Sequence, residues 1–160
     1  MAIINVSAGN EAVLVLGDSA ANANIAGSDG LTVPSMQDIT INNSTGVFRF
    51  KTLDNTAESA VTTPATNQIT LNVVVDDAAF FGTGAGSIDT VVDEGLFGVS
   101  KNKTRVFFNA GFNGTDATSK FVSGSGFISG LAPTVNMDSP VWVTPVTIEV
   151  DGDYTEGVVS

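Results

Sequence analysis

The sequence contains no histidine and no cysteine, and positive charge is scarce. Its 160 residues include 6 lysines and arginines against 17 aspartates and glutamates, which gives a net charge of −11. Without cysteine the chain can form no disulfide, thiolate zinc site or cysteine nucleophile. Without histidine it lacks the commonest general base and the usual transition-metal ligand. The acidic balance argues against a protein that binds nucleic acid by neutralising phosphates.

Long apolar runs are also missing. The opening residues, Met1 to Val6, have neither the basic start nor the apolar stretch of a secretory signal. No run approaches the ~20 apolar residues that a membrane-spanning helix needs. We therefore expect no membrane partner, and a protein that is made and kept in a cytosol-like compartment or assembled into something from there.

The residues that are present favour one β-rich domain over 1–160. Hydrophobic residues make up 42% of the chain, and 17 glycines and 5 prolines punctuate it at short intervals, a pattern typical of strands joined by turns. Alternation of apolar and polar residues predicts about seven strands, with a hairpin turn at 43–46. They cover 12–16, 38–42, 46–52, 68–75, 104–109, 120–129 and 141–151, the last interrupted by Pro145.

Two further segments complete the predicted architecture. Residues 53–67 show no hydrophobic period and predict a long loop, a feature that usually has a function, although a merely flexible loop fits as well. Apolar residues at spacings of three and four predict one helix over 87–99, with Ser87 able to cap its start; they are Ile88, Val91, Val92, Leu96 and Val99. The predicted fold class is an antiparallel β-sandwich or barrel with one short flanking helix.

Three motifs suggest chemistry, and each has a simpler interpretation. The glycines of 82–86 resemble a dinucleotide loop, but the third comes one position early, which favours a flexible lead-in to the helix. Asp89-Thr90 resembles half of an aspartic-protease signature, but Val91 follows where that site needs glycine. The acidic residues of 151–156 offer fewer ligands than a calcium loop requires, which favours a solvated acidic turn. We predict no enzyme, no cofactor and no metal site.

The basic residues form two small clusters, Arg49 with Lys51, and Lys101 with Lys103 and Arg105. Six positive charges scattered among 17 negative ones form no nucleic-acid groove. We expect these side chains to make salt links to a neighbouring subunit or to local acidic groups.

Two parts of the chain together resemble the tail tube proteins of bacteriophages. The first is Phe48-Arg49-Phe50-Lys51-Thr52-Leu53-Asp54, followed by the polar stretch, Gln68-Ile69-Thr70-Leu71 and Asp76-Asp77. The second runs through 120–131 and 140–152 and is similar to the closing hairpin of that family, with the predicted helix between the two parts. The resemblance covers about residues 38–152 and depends on the order of these features.

The resemblance implies a structural virion protein. Six subunits would form a ring whose joined sheets make an inner β-barrel, and stacked rings would form the hollow tail tube through which genomic DNA is ejected. Implied partners are further copies of the chain, the tape measure, the baseplate or initiator, the terminator, and a sheath where the tail has one. Double-stranded DNA would pass without specific binding, and the protein would reside in the virion tail after assembly in the host cytoplasm.

The resemblance also assigns positions. The loop 53–67 would contact the adjacent ring, and residues 1–34 would be a peripheral N-terminal segment. The inter-ring candidates are Asp54, Asn55, Glu58, Thr62 and Thr66. Alternation leaves one side of two strands polar or acidic, and these lumen-facing candidates are Gln68, Thr70, Asn72, Thr147, Glu149 and Asp151.

An acidic bore would repel DNA phosphates and keep the duplex mobile. The same polar side could equally face solvent in a monomer. Alternative functions are a capsid decoration protein, or another β-sandwich virion or interaction protein, and a carbohydrate-active or calcium-dependent domain is a third possibility.

Overall fold

A computed structural model describes residues 12–25, 30–82, 91–112, 119–138 and 140–159. This part of the chain forms eight strands and two short helices. In chain order they are β1 Val13–Gly17, β2 Leu31–Thr32, β3 Met36–Phe50, β4 Ser59–Val74, α1 Asp77–Phe81, α2 Val91–Asn102, β5 Val106–Gly111, β6 Lys120–Leu131, β7 Val143–Val150 and β8 Thr155–Val158. Within the described residues, neither helix has the length and apolar character to cross a membrane.

The eight strands form one antiparallel sheet with the order β2-β1-β5-β6-β7-β4-β3, and β8 pairs with β6 beside β7. The prediction of a mainly β, antiparallel fold with a short helix is confirmed. Strand β1 pairs along its length with β5, so residues 13–17 of the segment 1–34 lie within the sheet. The long strand β3 occupies one edge.

One side of the sheet carries the core. Apolar residues at alternate positions of β1, β4, β5 and β7 are buried there, among them Leu14, Ile69, Phe108 and Ile148. The helices cover this side, since Phe80 of α1 and the buried apolar residues of α2, Val91, Leu96 and Val99, belong to the same apolar cluster. The other side of the sheet is mostly polar in β3, β4 and β7, as the period of two requires. Near β1 it carries a second, smaller apolar cluster, in which Val15, Ile25 and Val159 are buried.

The predicted hairpin turn at 43–46 is wrong, because that segment lies inside β3. Asn43, Ser44 and Thr45 stand opposite Asn67, Thr66 and Ala65 of β4, and the register shifts between Thr45 and Val47. Pairing with a long partner strand therefore overrides the turn preference of Asn, Ser and Gly.

The predicted loop 53–67 is likewise mostly strand. Strand β4 begins at Ser59, so the connection between β3 and β4 is confined to residues 51–58. The threonines of 59–67 suit a strand exposed on both sides, and such a strand shows no hydrophobic alternation that sequence reasoning could detect.

The helical region also differs from the prediction. The predicted helix 87–99 begins in residues that lie outside the described part, and α2 continues to Asn102. The sequence predicts a strand that ends at residue 75 and no helix after it, but α1 follows directly. Asp76 caps α1, and its Oδ1 accepts from the Ala79 amide at 3.1 Å. Residue Gly95 interrupts α2 with a φ of 69°. A Cβ there would lie 2.3 Å from the amide nitrogen of Gly82. Glycine at position 95 therefore allows the end of α1 to pack closely against α2. Of the motifs around this helix, 83–86 and Asp89 also lie outside the described residues.

Candidate assembly surfaces

The side of the sheet that faces away from the helices, here called the polar face, gathers polar residues from five strands. Thr70 of β4 stands between Thr40 of β3 and Thr147 of β7, and Gln68 stands between Asn42 and Glu149. The register of β5, β6 and β7 extends the face further. Its polar residues are Asp38, Thr40, Asn42, Gln68, Thr70, Asn72, Asn109, Ser123, Ser125, Ser129, Thr147 and Glu149. The aromatic side chains of Phe107 and Phe127 lie on the same face, and Arg105 and Asp151 lie at its margin. Five of the six lumen-facing candidates therefore lie together in adjacent strands.

Hydrogen bonds across the strands hold two of the acidic groups in place on the polar face. The Gln68 Nε2 donates to Glu149 Oε1 at 2.7 Å, and the Ser129 hydroxyl donates to the same oxygen at 3.5 Å. The Asn72 Nδ2 donates to Asp38 Oδ2 at 2.8 Å. Sequence reasoning missed Asp38, although the alternation of 38–42 already placed it on the same side as Thr40. The face therefore presents ordered carboxylates in a setting of neutral amides and hydroxyls.

The sixth candidate, Asp151, lies just after β7 and is paired with a cation. Its Oδ2 lies 2.7 Å from an Arg105 guanidinium nitrogen, and the two side chains are 56% and 46% exposed. Arg105 also donates to the Ser125 hydroxyl at 3.3 Å, and its guanidinium carbon lies 5.3 Å from the centre of the Phe127 ring. The expected salt link to a local acidic group is thus present for Arg105. The polar face therefore carries one positive charge at its margin, which the polar residues of β4 and β7 do not predict.

The acidic turn considered for calcium, which lies between β7 and β8, is hydrogen-bonded to the inner end of the β3–β4 hairpin. The Asn67 Nδ2 donates to the Gly152 carbonyl at 2.7 Å. The Tyr154 hydroxyl donates to the Asn42 carbonyl at 2.7 Å and is 3.2 Å from the Gln68 carbonyl. Burial raises the pKa of Tyr154 above its ordinary value of 10.0. Among the described residues no group of three or more potential ligands could hold a metal ion.

The outer half of the β3–β4 hairpin, residues 43–66, is called the arm. Strand β7 pairs with β4 only as far as Gln68, so beyond that point β3 and β4 pair with each other. Large apolar residues lie exposed on the arm: Phe48 is 61% exposed, Val61 53% and Phe50 38%. The Phe48 and Phe50 rings stack with centroids 6.2 Å apart, and Val61 stands opposite Phe48. The arm thus presents a patch formed by these three residues, here called the aromatic patch, which the rest of the chain covers only in part.

The inter-ring candidates all lie on the arm, but in different settings. Asp54 and Asn55 lie at its tip, where the Asn55 amide donates to the Thr52 carbonyl at 3.3 Å and the Asn55 Oδ1 accepts from the Ala57 amide at 3.1 Å. Glu58 directly precedes β4, and Thr62 and Thr66 lie within it. All five are exposed. Sequence reasoning missed the aromatic patch as part of this surface, because Phe48 and Phe50 alternate with Arg49 and Lys51 as core-facing residues of an ordinary strand would.

Comparison with known proteins identifies several similar solved structures, among them the following two. A chain from the tail of an empty gene transfer agent (GTA) particle, with C6 symmetry, has a TM-score of 0.66 at 10% identity, covering 94% of this chain and 98% of that chain. A chain from the virion of a native GTA particle has a TM-score of 0.64 at 9% identity, covering 95% of this chain and 99% of that chain. No protein-family model and no curated protein matches the sequence. At these identities the likeness shows a shared fold over nearly the whole of each chain.

Proposed function

We propose that this chain is the tube subunit of a phage-like tail, a structural protein without catalysis. Six copies form a ring, and rings stack into a hollow tube through which double-stranded DNA passes. The observation that carries the proposal is the similarity, over nearly the full length of both chains, to a chain of a C6-symmetric GTA tail. The proposed partners are further copies of the chain, the tape measure, the initiator, the terminator and any sheath, and the proposed location is the virion tail.

The two sides of the sheet support an arrangement with the polar face toward the bore. The helices occupy the other side and would lie outside. The polar face offers Gln68, Thr70, Asn72, Thr147 and Glu149 to the DNA, and none of these side chains carries a positive charge. Along β4 and β7 the phosphates would meet only carboxylates and neutral groups, so these strands would not hold the duplex by counterion release.

The open edge of the sheet supports ring closure. Strand β3 pairs with β4 on one side, and within the described residues its other side has no partner strand. An edge strand of this length is a template for pairing with another chain. Pairing it with the far edge of the next subunit would join the sheets into a continuous barrel and remove both edges.

The arm supports contact between rings. Its aromatic patch is exposed in the single chain, and exposed clusters of large apolar residues mark interaction sites. We assign the arm, with Asp54, Asn55, Glu58, Thr62 and Thr66, to the contact with the adjacent ring.

Electron microscopy of the purified protein in negative stain tests the proposal. We expect hollow tubes of constant diameter whose end views show six-fold symmetry, together with rapidly sedimenting material in the ultracentrifuge. A capsid decoration protein would instead stay monomeric or trimeric. Monomers at every concentration and ionic strength would overturn the tube assignment.

A further inference from the structure

Arg105 is the cation of the polar face as defined above. It precedes β5 and alternates with the buried Val106, and its side chain reaches Ser125 and Phe127 of β6 on the polar side. In a tube of the proposed kind, every subunit would therefore place one guanidinium at the wall of the bore.

A free guanidinium at that position would oppose DNA passage. Arginine presents a planar set of donors that binds phosphate in a bidentate manner, and each phosphate that a protein neutralises adds to its salt-dependent affinity for DNA. A ring of such side chains, repeated along the tube, would bind the duplex at regular intervals.

Three contacts hold the Arg105 guanidinium against the sheet. One terminal nitrogen lies 2.7 Å from the Asp151 carboxylate, the other donates to Ser125 at 3.3 Å, and the guanidinium carbon lies 5.3 Å from the centre of the Phe127 ring. The carboxylate occupies a donor that a phosphate would otherwise take, and its charge cancels that of the arginine. Because both members of the pair are about half exposed, water and DNA could reach the guanidinium if the carboxylate were removed.

We propose that Asp151 shields Arg105, so that the one cation of the polar face does not bind the phosphates of DNA that passes through the tube. This inference rests on the proposed function, because it requires the polar face to line the bore. Asp151 thereby acts on DNA through Arg105, and it is a positioning residue.

The test compares two variants with the same change in charge. Asp151→Asn removes the partner of Arg105, whereas Asp153→Asn removes an exposed carboxylate two residues away that the salt bridge does not involve. Assembled tubes of each are mixed with a short fluorescent duplex, and bound DNA is measured by co-sedimentation between about 50 and about 200 mM salt. For each arginine that engages a phosphate, affinity should fall about threefold across this range.

The shield predicts that Asp151→Asn binds DNA more tightly and with a steeper salt dependence than Asp153→Asn. The double variant Arg105→Gln with Asp151→Asn has the same net charge as the unchanged protein and should bind DNA as weakly as the unchanged protein does. Asp151→Glu should also bind as weakly as the unchanged protein. If Asp151→Asn does not assemble, Asp151→Ser provides the same comparison.

The outcomes separate the two proposals. Should the unchanged protein form no tubes, the proposed function fails and the shield fails with it. Should tubes form while Asp151→Asn and Asp153→Asn bind DNA equally, the shield alone is overturned. Tight binding that persists in the double variant would also overturn it, because the gain would then not come from Arg105.

Discussion

The aromatic patch of the arm should contribute more to assembly than to the folding of the single chain. Phe48 and Phe50 are 61% and 38% exposed, and exposed side chains usually change stability by less than about 0.5 kcal/mol when replaced. Replacing both with serine should therefore lower the unfolding temperature of the dilute subunit only modestly, and mainly through Phe50, most of whose surface is already buried within its own chain. The same change should strongly weaken assembly if the neighbouring ring covers the patch.

The size of that effect follows from the area that remains exposed. A phenylalanine side chain offers about 200 Å², so the exposed fractions of 61% and 38% correspond to about 120 and about 75 Å². At about 25 cal/mol per Å², covering them would stabilise the contact by about 3 and about 2 kcal/mol. The ordering of side chains at the contact offsets part of this sum. We expect at least about 2 kcal/mol to remain, which raises the critical concentration for tube growth about 30-fold.

Sedimentation of tubes over a range of protein concentrations measures the critical concentration. The matched control is Phe48→Leu with Phe50→Leu, which keeps apolar side chains at both positions and should assemble nearly as well as the unchanged protein. Thermal unfolding of the dilute subunits checks that both variants fold. Equal critical concentrations for the serine and leucine variants would refute the assignment of the patch to a contact between rings.

Three further predictions concern the stability of the subunit and the charge of the assembly. Tyr154→Phe should lower the free energy of unfolding by about 1 kcal/mol, because the hydroxyl donates to a backbone carbonyl at the base of the arm. Since burial raises the pKa of Tyr154 above 10.0, this stabilisation is present at neutral pH and lost as the pH rises above about 10. In thermal unfolding, only the unchanged protein should show that alkaline loss. Gly95→Ala should lower the free energy of unfolding by about 2 kcal/mol or more, and by more than the control Gly152→Ala. Both positions have positive φ, but only a Cβ at 95 would contact neighbouring backbone. Equal losses of stability in urea unfolding would exclude that contact as the cause. With a net charge of −11 per subunit, assembly should strengthen from low to moderate salt, and light scattering that falls over this range would contradict it.

Alternation predicted the central sheet well, because burial there leaves no choice of face. Ile69, Leu71 and Val73 are buried as expected, and so are Val146 and Ile148. The polar residues between them lie on the other side for the same reason. The lumen-facing candidates of β4 and β7 therefore share one surface, and which surroundings that surface meets in the assembly stays a prediction.

The arm and the helices could not be predicted in the same way. In the arm both sides are exposed, so 59–66 of β4 carry no hydrophobic alternation, and the alternation of Phe48 and Phe50 with Arg49 and Lys51 does not indicate burial. The turn preference of 43–46 is misleading for the same reason. Helix α1 has only 5 residues, too few for a helical period, and it is defined by the Asp76 cap and the close contact with Gly95. The pairing of Arg105 with Asp151 depends on strand order, which brings β5 and the end of β7 to opposite sides of β6; no local pattern indicates it.

A reconstruction of assembled tubes by electron cryomicroscopy, at a resolution that separates strands, tests the central claim most directly. The account predicts that the polar face surrounds the bore, with Thr70 and Thr147 toward the axis and α1 and α2 on the outer surface. A bore lined by the helices, or subunits that do not join their sheets around an axis, would contradict it.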